Sequence, residues 1–120
     1  MEKKILICDT SRDLVQVLKA ILSELTSANI LPETSVSDAY EQIVRNRPDI
    51  FMVDLAMPNI KADKLMHDIR HEEGRTAIYI ISLSATAEGM RLALAAGADV
   101  AMAKPLDLDE LIGQVNRALQ

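Results

Sequence analysis

The 120-residue chain predicts an α/β fold, with one open, doubly wound parallel sheet of five strands and helices on both faces. Two observations predict it. Short continuous apolar runs (Ile5–Cys8, Ile50–Val53, Ile78–Ile81 and Val100–Ala103) recur along the chain, as expected for strands covered on both faces. Between them the apolar period changes to that of a helix. Such alternation yields parallel strands joined by right-handed crossovers. A closed eight-fold barrel needs roughly 200 residues or more, so the sheet is open.

The first strand, Ile5–Cys8, runs into Asp9-Thr10-Ser11. Ser11 suits a helix cap, and Leu14, Leu18, Ile21, Leu22 and Leu25 share the face of a first helix. A second strand is expected near Ile30–Val36, at the sheet edge because Pro32 has no N–H to donate. Asp38 is the expected cap of a second helix, with Glu41 three residues on and Pro48 beyond its end. Ile50–Val53 delivers Asp54. Leu65, Met66 and Ile69 mark a third helix, with Gly74 as its stop. Ile78–Ile81 is expected to end in Ser82. Residues 87–96 (AEGMRLALAA) read as an Ala-rich fourth helix ending at Gly97, with Gly89 weakening its first turn. Val100–Ala103 leads into Lys104-Pro105. Leu108, Leu111, Ile112, Val115 and Leu119 line a fifth helix.

Composition narrows the function classes. The apolar fraction is 49% and the charged fraction 26%, ordinary for one globular domain, residues 1–120. With only Phe51, Tyr40 and Tyr79 as aromatics, the core is aliphatic. Thirteen basic and eighteen acidic residues give a net charge of −5, which argues against direct nucleic-acid binding. One cysteine, Cys8, excludes an internal disulfide and a Cys-rich zinc site. No run is long enough for a membrane span, and no signal peptide is evident, so a cytoplasmic location is expected.

In open α/β sheets, ligands bind at the carboxyl ends of strands near the switch in strand order. Those ends carry Asp9, Asp54, Ser82 and Lys104. In the flavodoxin-like order 2-1-3-4-5, strands one and three are neighbours, so Asp9 and Asp54 face each other, with Ser82 and Lys104 on the far side of Asp54. Two acids, a hydroxyl and a lysine suit phosphoryl chemistry. A carboxylate can be the nucleophile, an acid pair can hold Mg²⁺, and a lysine and a hydroxyl can bind phosphoryl oxygens.

The pieces ILICDTSRD, PDIFMVDLAMPNI, AIYIISLSA and AAGADVAMAKP, with the last amphipathic helix, resemble the receiver domain of bacterial response regulators. The resemblance spans essentially the whole chain. It implies that Asp54 accepts a phosphoryl group from a histidine kinase or phosphotransfer protein, and that phosphorylation changes affinity for an output protein not identified by the sequence. It further implies that Lys104 and Ser82 contact the phosphoryl group, and that Mg²⁺ is held by Asp9, Asp54 and the backbone carbonyl of Ala56. The Lys104–Pro105 bond is expected in cis. The module is not itself an enzyme.

Three departures stand out. Thr10 occupies the place of a second acid, so it is a weak or lost metal ligand and Mg²⁺ affinity is expected to fall. Ala101 stands where many receivers carry a Tyr or Phe that changes rotamer. Lys61–Asp63 replaces a common Asp-Gly pair. Thr10 and Ala101 motivate an alternative, a pseudo-receiver that binds partners without phosphorylation. Haloacid-type phosphatases need an acid where Ala56 stands, and a flavin site wants glycine and aromatics that the first loop lacks. His67 and His71 have metal-ligand spacing on the third helix, but no third ligand is evident and a solvated face is the simpler reading. Cys8 reads as an inert buried residue.

Overall fold

The fold comes from a computed structural model that describes residues 2–54, 62–71 and 77–120. Five strands and five helices alternate: β1 (Lys4–Cys8), α1 (Arg12–Leu25), β2 (Asn29–Glu33), α2 (Val36–Asn46), β3 (Ile50–Val53), α3 (Ala62–His71), β4 (Tyr79–Ser84), α4 (Ala87–Ala96), β5 (Val100–Ala103) and α5 (Leu108–Leu119). All strand pairs are parallel, in the expected order β2-β1-β3-β4-β5. Pro32 lies in β2, an edge strand, as its missing donor requires.

Successive strand residues point to opposite faces of a sheet, and this divides the core. Ile5, Ile7, Ile50, Met52, Ile81 and Leu83 pack with Val15, Leu18 and Leu22 of α1 and Leu111 and Val115 of α5. Leu6, Cys8, Phe51, Val53 and Ile80 pack on the other face with residues of α2, α3 and α4. Every one of these side chains is buried.

Several element bounds differ from expectation. The cap of α2 is Ser35, not Asp38, and Val36 is already helical. The N–H of Ala39 donates to the Ser35 carbonyl at 2.9 Å, so Asp38 falls inside the first turn, where its charge favours the helix dipole. The second strand therefore stops at Glu33. Ser82 does not end β4, which continues to Ser84, because β5 pairs with it up to Ala103. On α1, Val15 is buried while Leu25 is 54% exposed; α1 keeps a narrow stripe of Val15, Leu18 and Leu22 toward the sheet. In α4 only Ala93 is buried, and Leu92 and Leu94 face outward. The expected stop at Gly74 lies outside the described residues. Gly97 does end α4, at φ 123°, a left-handed conformation that glycine adopts without a Cβ penalty.

Candidate functional site

The site begins with register. Cys8 pairs with Val53, so the next residues, Asp9 and Asp54, leave the sheet side by side. Backbone bonds hold both at the exit. Asp9 N–H donates to the Glu33 carbonyl and Asp54 N–H to the Cys8 carbonyl, each at 3.2 Å. On the other side Ser84 pairs with Ala103, and Lys104 N–H donates to the Ser84 carbonyl at 2.8 Å. The chain then turns through a cis Lys104–Pro105 bond, as expected.

These three strand ends bring one cation onto two acids. Lys104 Nζ donates to Asp9 Oδ2 at 2.6 Å and to Asp54 Oδ2 at 3.0 Å. Asp9 is 1% exposed and Asp54 16%, so Asp54 is the acid an outside reactant can reach. The second oxygen of Asp9, Oδ1, accepts the N–H of Ser11 at 2.9 Å. Ser11 then caps α1 by accepting the Leu14 N–H at 3.2 Å. This pair of local bonds fixes the carboxylate of Asp9. Sequence reading found the Ser11 cap but missed its backbone grip on Asp9. The Asp-x-Ser spacing ahead of a helix was the available signal.

Burial alone would lower the Lys104 pKa. The two carboxylate hydrogen bonds and their charges outweigh it, and the pKa is raised above the ordinary 10.5. The ammonium is thus held charged. Cys8, directly below, is pushed from 9.0 up to about 12, first by burial and then by the charges of Glu33, Asp9 and Asp54. Its thiol stays protonated and unreactive, as expected of a buried cysteine.

Ser82 sits in the sheet beside Val53 and Ala101. It is 1% exposed, and its Oγ is the one buried side-chain polar atom among the described residues that has no hydrogen-bond partner. Buried hydroxyls are nearly always paired, which sets this one apart beside Asp54's strand. Thr10 is exposed beside the buried Asp9. Ala101 is half-buried. Ala56 and Lys61 lie outside the described residues.

The donor set fits a hard dication. Asp9 and Asp54 already converge on one cation, the Lys104 ammonium. Mg²⁺ is bound through one or two carboxylates, with waters completing its octahedron. Among the described residues no third His, Cys, Asp or Glu joins such a group. Also among the described residues, no helix is long and apolar enough to cross a membrane.

Comparison with known proteins agrees with this geometry. The chain is 31% identical over 117 residues to the transcriptional regulatory protein KdpE of Staphylococcus aureus, covering 96% of this chain and 49% of that protein. It is 30% identical over 110 residues to the regulator of RpoS of Escherichia coli, covering 91% of this chain and 32% of that protein. The chain thus spans half or less of the length of these curated relatives. Among solved structures, the receiver domain of the sensor histidine kinase PA1611 from Pseudomonas aeruginosa superposes with a TM-score of 0.85 at 25% identity, covering 98% of this chain and 97% of that one. That structure has a magnesium ion coordinated in its active-site cleft. The family model of the response regulator receiver domain matches residues 5–116, and the chain belongs to that family, a signalling module of two-component systems rather than a classical enzyme.

Proposed function

We propose that residues 1–120 act as one phospho-accepting receiver. Asp54 takes a phosphoryl group from a histidine kinase or phosphotransfer protein. The observation that carries this reading is the half-buried Asp54 carboxylate, held by Lys104 against the fully buried Asp9. A carboxylate oxygen of Asp54 attacks phosphorus, the bond from phosphorus to the donor's imidazole nitrogen breaks, and that nitrogen keeps the electron pair. The product is an acyl phosphate on Asp54. Lys104 then has a second task, because its ammonium can follow the new charge onto the phosphoryl oxygens. Ser82 Oγ supplies a hydrogen bond to the same oxygens, which gives its unpartnered hydroxyl a role. Mg²⁺, when bound at Asp9, Asp54 and the Ala56 carbonyl, offsets the charge of the incoming phosphoryl group.

Thr10 makes that metal site weak. It contributes no charge at the place of a second acid, and Mg²⁺ prefers anionic oxygens. Replacing it, Thr10→Asp, should tighten Mg²⁺ about tenfold, roughly 1.4 kcal/mol, as read by titration of backbone amide shifts near Asp9. Unchanged affinity would remove Thr10 as the cause. The output is a change in partner affinity on the surface around β5 and its flanking helices, where Ala101 has no rotamer to switch. The location expected for such a module is the cytoplasm.

The deciding experiment is intact mass after incubation with a small-molecule phosphodonor and excess Mg²⁺. One added phosphoryl group is expected in the wild type and none in Asp54→Asn. No addition, from either that donor or a phosphorylated phosphotransfer protein, would favour the pseudo-receiver, a phosphorylation-independent binding module.

A further inference from the structure

We propose that the Lys104 ammonium is the resident cation of the acid cleft, and that a divalent ion enters by displacing it from Asp9. This assignment rests on the phospho-accepting reading and adds to it how metal is admitted. Lys104 Nζ reaches one oxygen of each acid, Asp9 Oδ2 at 2.6 Å and Asp54 Oδ2 at 3.0 Å. The shorter bond goes to the acid that solvent does not reach, since Asp9 is 1% exposed. Asp9 offers a newcomer no better face. Its Oδ1 accepts the Ser11 N–H at 2.9 Å, inside the turn that Ser11 continues by capping α1. Oδ2 is therefore the oxygen through which Asp9 meets a cation, and Lys104 holds it.

The charges turn this contact into a competition. Two carboxylates and one ammonium sum to −2 + 1 = −1. A dication added beside the ammonium gives −1 + 2 = +1, whereas a dication in its place gives −2 + 2 = 0. Two cations on the same pair of oxygens repel, and most strongly where water is excluded. Thr10 brings no charge that would hold both cations together. Among the described residues no third His, Cys, Asp or Glu joins the group, so none offers the metal a way round Asp9. The lysine can leave without disturbing the sheet. Its N–H stays on the Ser84 carbonyl at 2.8 Å, while its side chain is 23% exposed and its flexible four-carbon stem lets the ammonium swing outward. Displacement also releases the ammonium for the phosphoryl oxygens of Asp54, so metal entry prepares both cations for the transfer.

The test is a magnesium chloride titration of the intact chain followed by NMR. The Ser11 amide reports on Asp9, and the Lys104 side-chain CεH₂ signals report on the ammonium. In the wild type both should move with one midpoint. Lys104→Met should bind Mg²⁺ about tenfold more tightly, because a competing charge is gone. Lys104→Arg keeps a cation and should bind as weakly as the wild type. Amide spectra check that both variants fold; if Lys104→Met does not, the two wild-type signals decide alone. Lys104 signals that stay still while the Ser11 amide saturates would overturn the displacement. So would equal or weaker binding by Lys104→Met, tighter binding by Lys104→Arg, or no binding by any of the three. Phosphorylation is not read in this titration, so a failure of the phospho-accepting reading appears separately, in the mass experiment.

Discussion

Two cations in this molecule are equally sheltered and do different things. Lys104 and Arg70 have side chains 23% and 21% exposed. Arg70, on α3, donates to the carbonyls of Ile78 and Gly97, each at 2.8 Å, and to Asp99 Oδ2 at 2.7 Å. The same Asp99 oxygen accepts the Ile80 N–H at 2.7 Å. Among the described residues its charge meets that of Asp99, and other donors go to backbone carbonyls. That network ties the end of α3 to the start of β4 and the turn before β5. Lys104 instead faces two carboxylates, leaving a local charge of +1 − 2 = −1 on its three groups. The difference teaches where to look for chemistry. A cation whose donors also hold backbone carbonyls is a fastener, whereas one shared by two carboxylates at a strand-end cleft is a place where a metal or a transferred group can enter.

The sharpest way to break this comparison is to remove each cation. Arg70→Met should cost about 2–3 kcal/mol of stability in chemical denaturation, mostly through the lost hydrogen bonds to backbone, because Asp99 itself is 37% exposed. It leaves Asp99 with the Ile80 N–H as its named partner and takes the Arg70 donors from the Gly97 and Ile78 carbonyls. Lys104→Met should also cost stability at neutral pH, about 1–2 kcal/mol, since Asp9 and Asp54 are then left to repel. Unlike the first loss, it should be reduced by saturating Mg²⁺ or by lowering the pH until one acid protonates. Equal losses with no response to Mg²⁺ would erase the distinction between fastener and site.

Much of this was legible beforehand. The open parallel sheet followed from alternation and crossover handedness, the order 2-1-3-4-5 was the flavodoxin-like one, and Asp9, Asp54 and Lys104 came together because parallel register places strand ends at one edge. Ser82 was singled out, but its place inside β4 was not, since strand length depends on how far β5 pairs, which no local pattern states. Asp38 looked like a cap because Asp and Ser are both good caps, and only the path of the chain out of β2 chose Ser35. The Arg70 network was missed entirely. Its partners include two backbone carbonyls, which carry no sequence signal, and Asp99, which lies far along the chain.

Alkaline titration sharpens the comparison at Lys104 and at the thiol beneath it. Both groups have folded pKa values raised above their ordinary ones. For such groups the stabilising contribution is complete below the unfolded pKa and is lost as pH rises through the folded one. For Cys8 the window runs from 9.0 to about 12, and for Lys104 it begins at 10.5. Cys8→Ala should therefore flatten the fall in stability above pH 9, while Lys104→Met should flatten it only above 10.5. Denaturation midpoints measured at pH 8, 10 and 11 separate the two; a wild-type profile flat across that range would contradict both assignments.

The smallest expected effect concerns the turn from β4 into α4, next to the cleft. Thr86 caps α4 by accepting the Gly89 N–H at 2.9 Å. The Ser84 hydroxyl tucks under the same turn, donating to the Thr86 carbonyl at 3.1 Å and accepting the Thr86 N–H at 3.3 Å. A Cβ on residue 89 would stand 2.3 Å from Ser84 Oγ, so glycine is needed there for space, not for backbone conformation. Gly89→Ala gains about 1 kcal/mol of helix propensity. It also forces Ser84 Oγ out of two hydrogen bonds at a comparable cost, so the net change should be near zero. In a Ser84→Ala background the closest clash is gone, and the nearest remaining atom is the capping Thr86 Oγ1 at 3.0 Å, which must give by a few tenths of an ångström. There Gly89→Ala should stabilise, by up to about 1 kcal/mol less the cost of shifting the Thr86 cap. The coupling between the two positions, rather than either single value, measures how tightly Ser84 anchors the start of α4 beside Lys104, whose own N–H is held by the Ser84 carbonyl. A coupling below about 0.3 kcal/mol would mean that the hydroxyl simply rotates away, and that the α4 entry is not tied to the cleft through this residue.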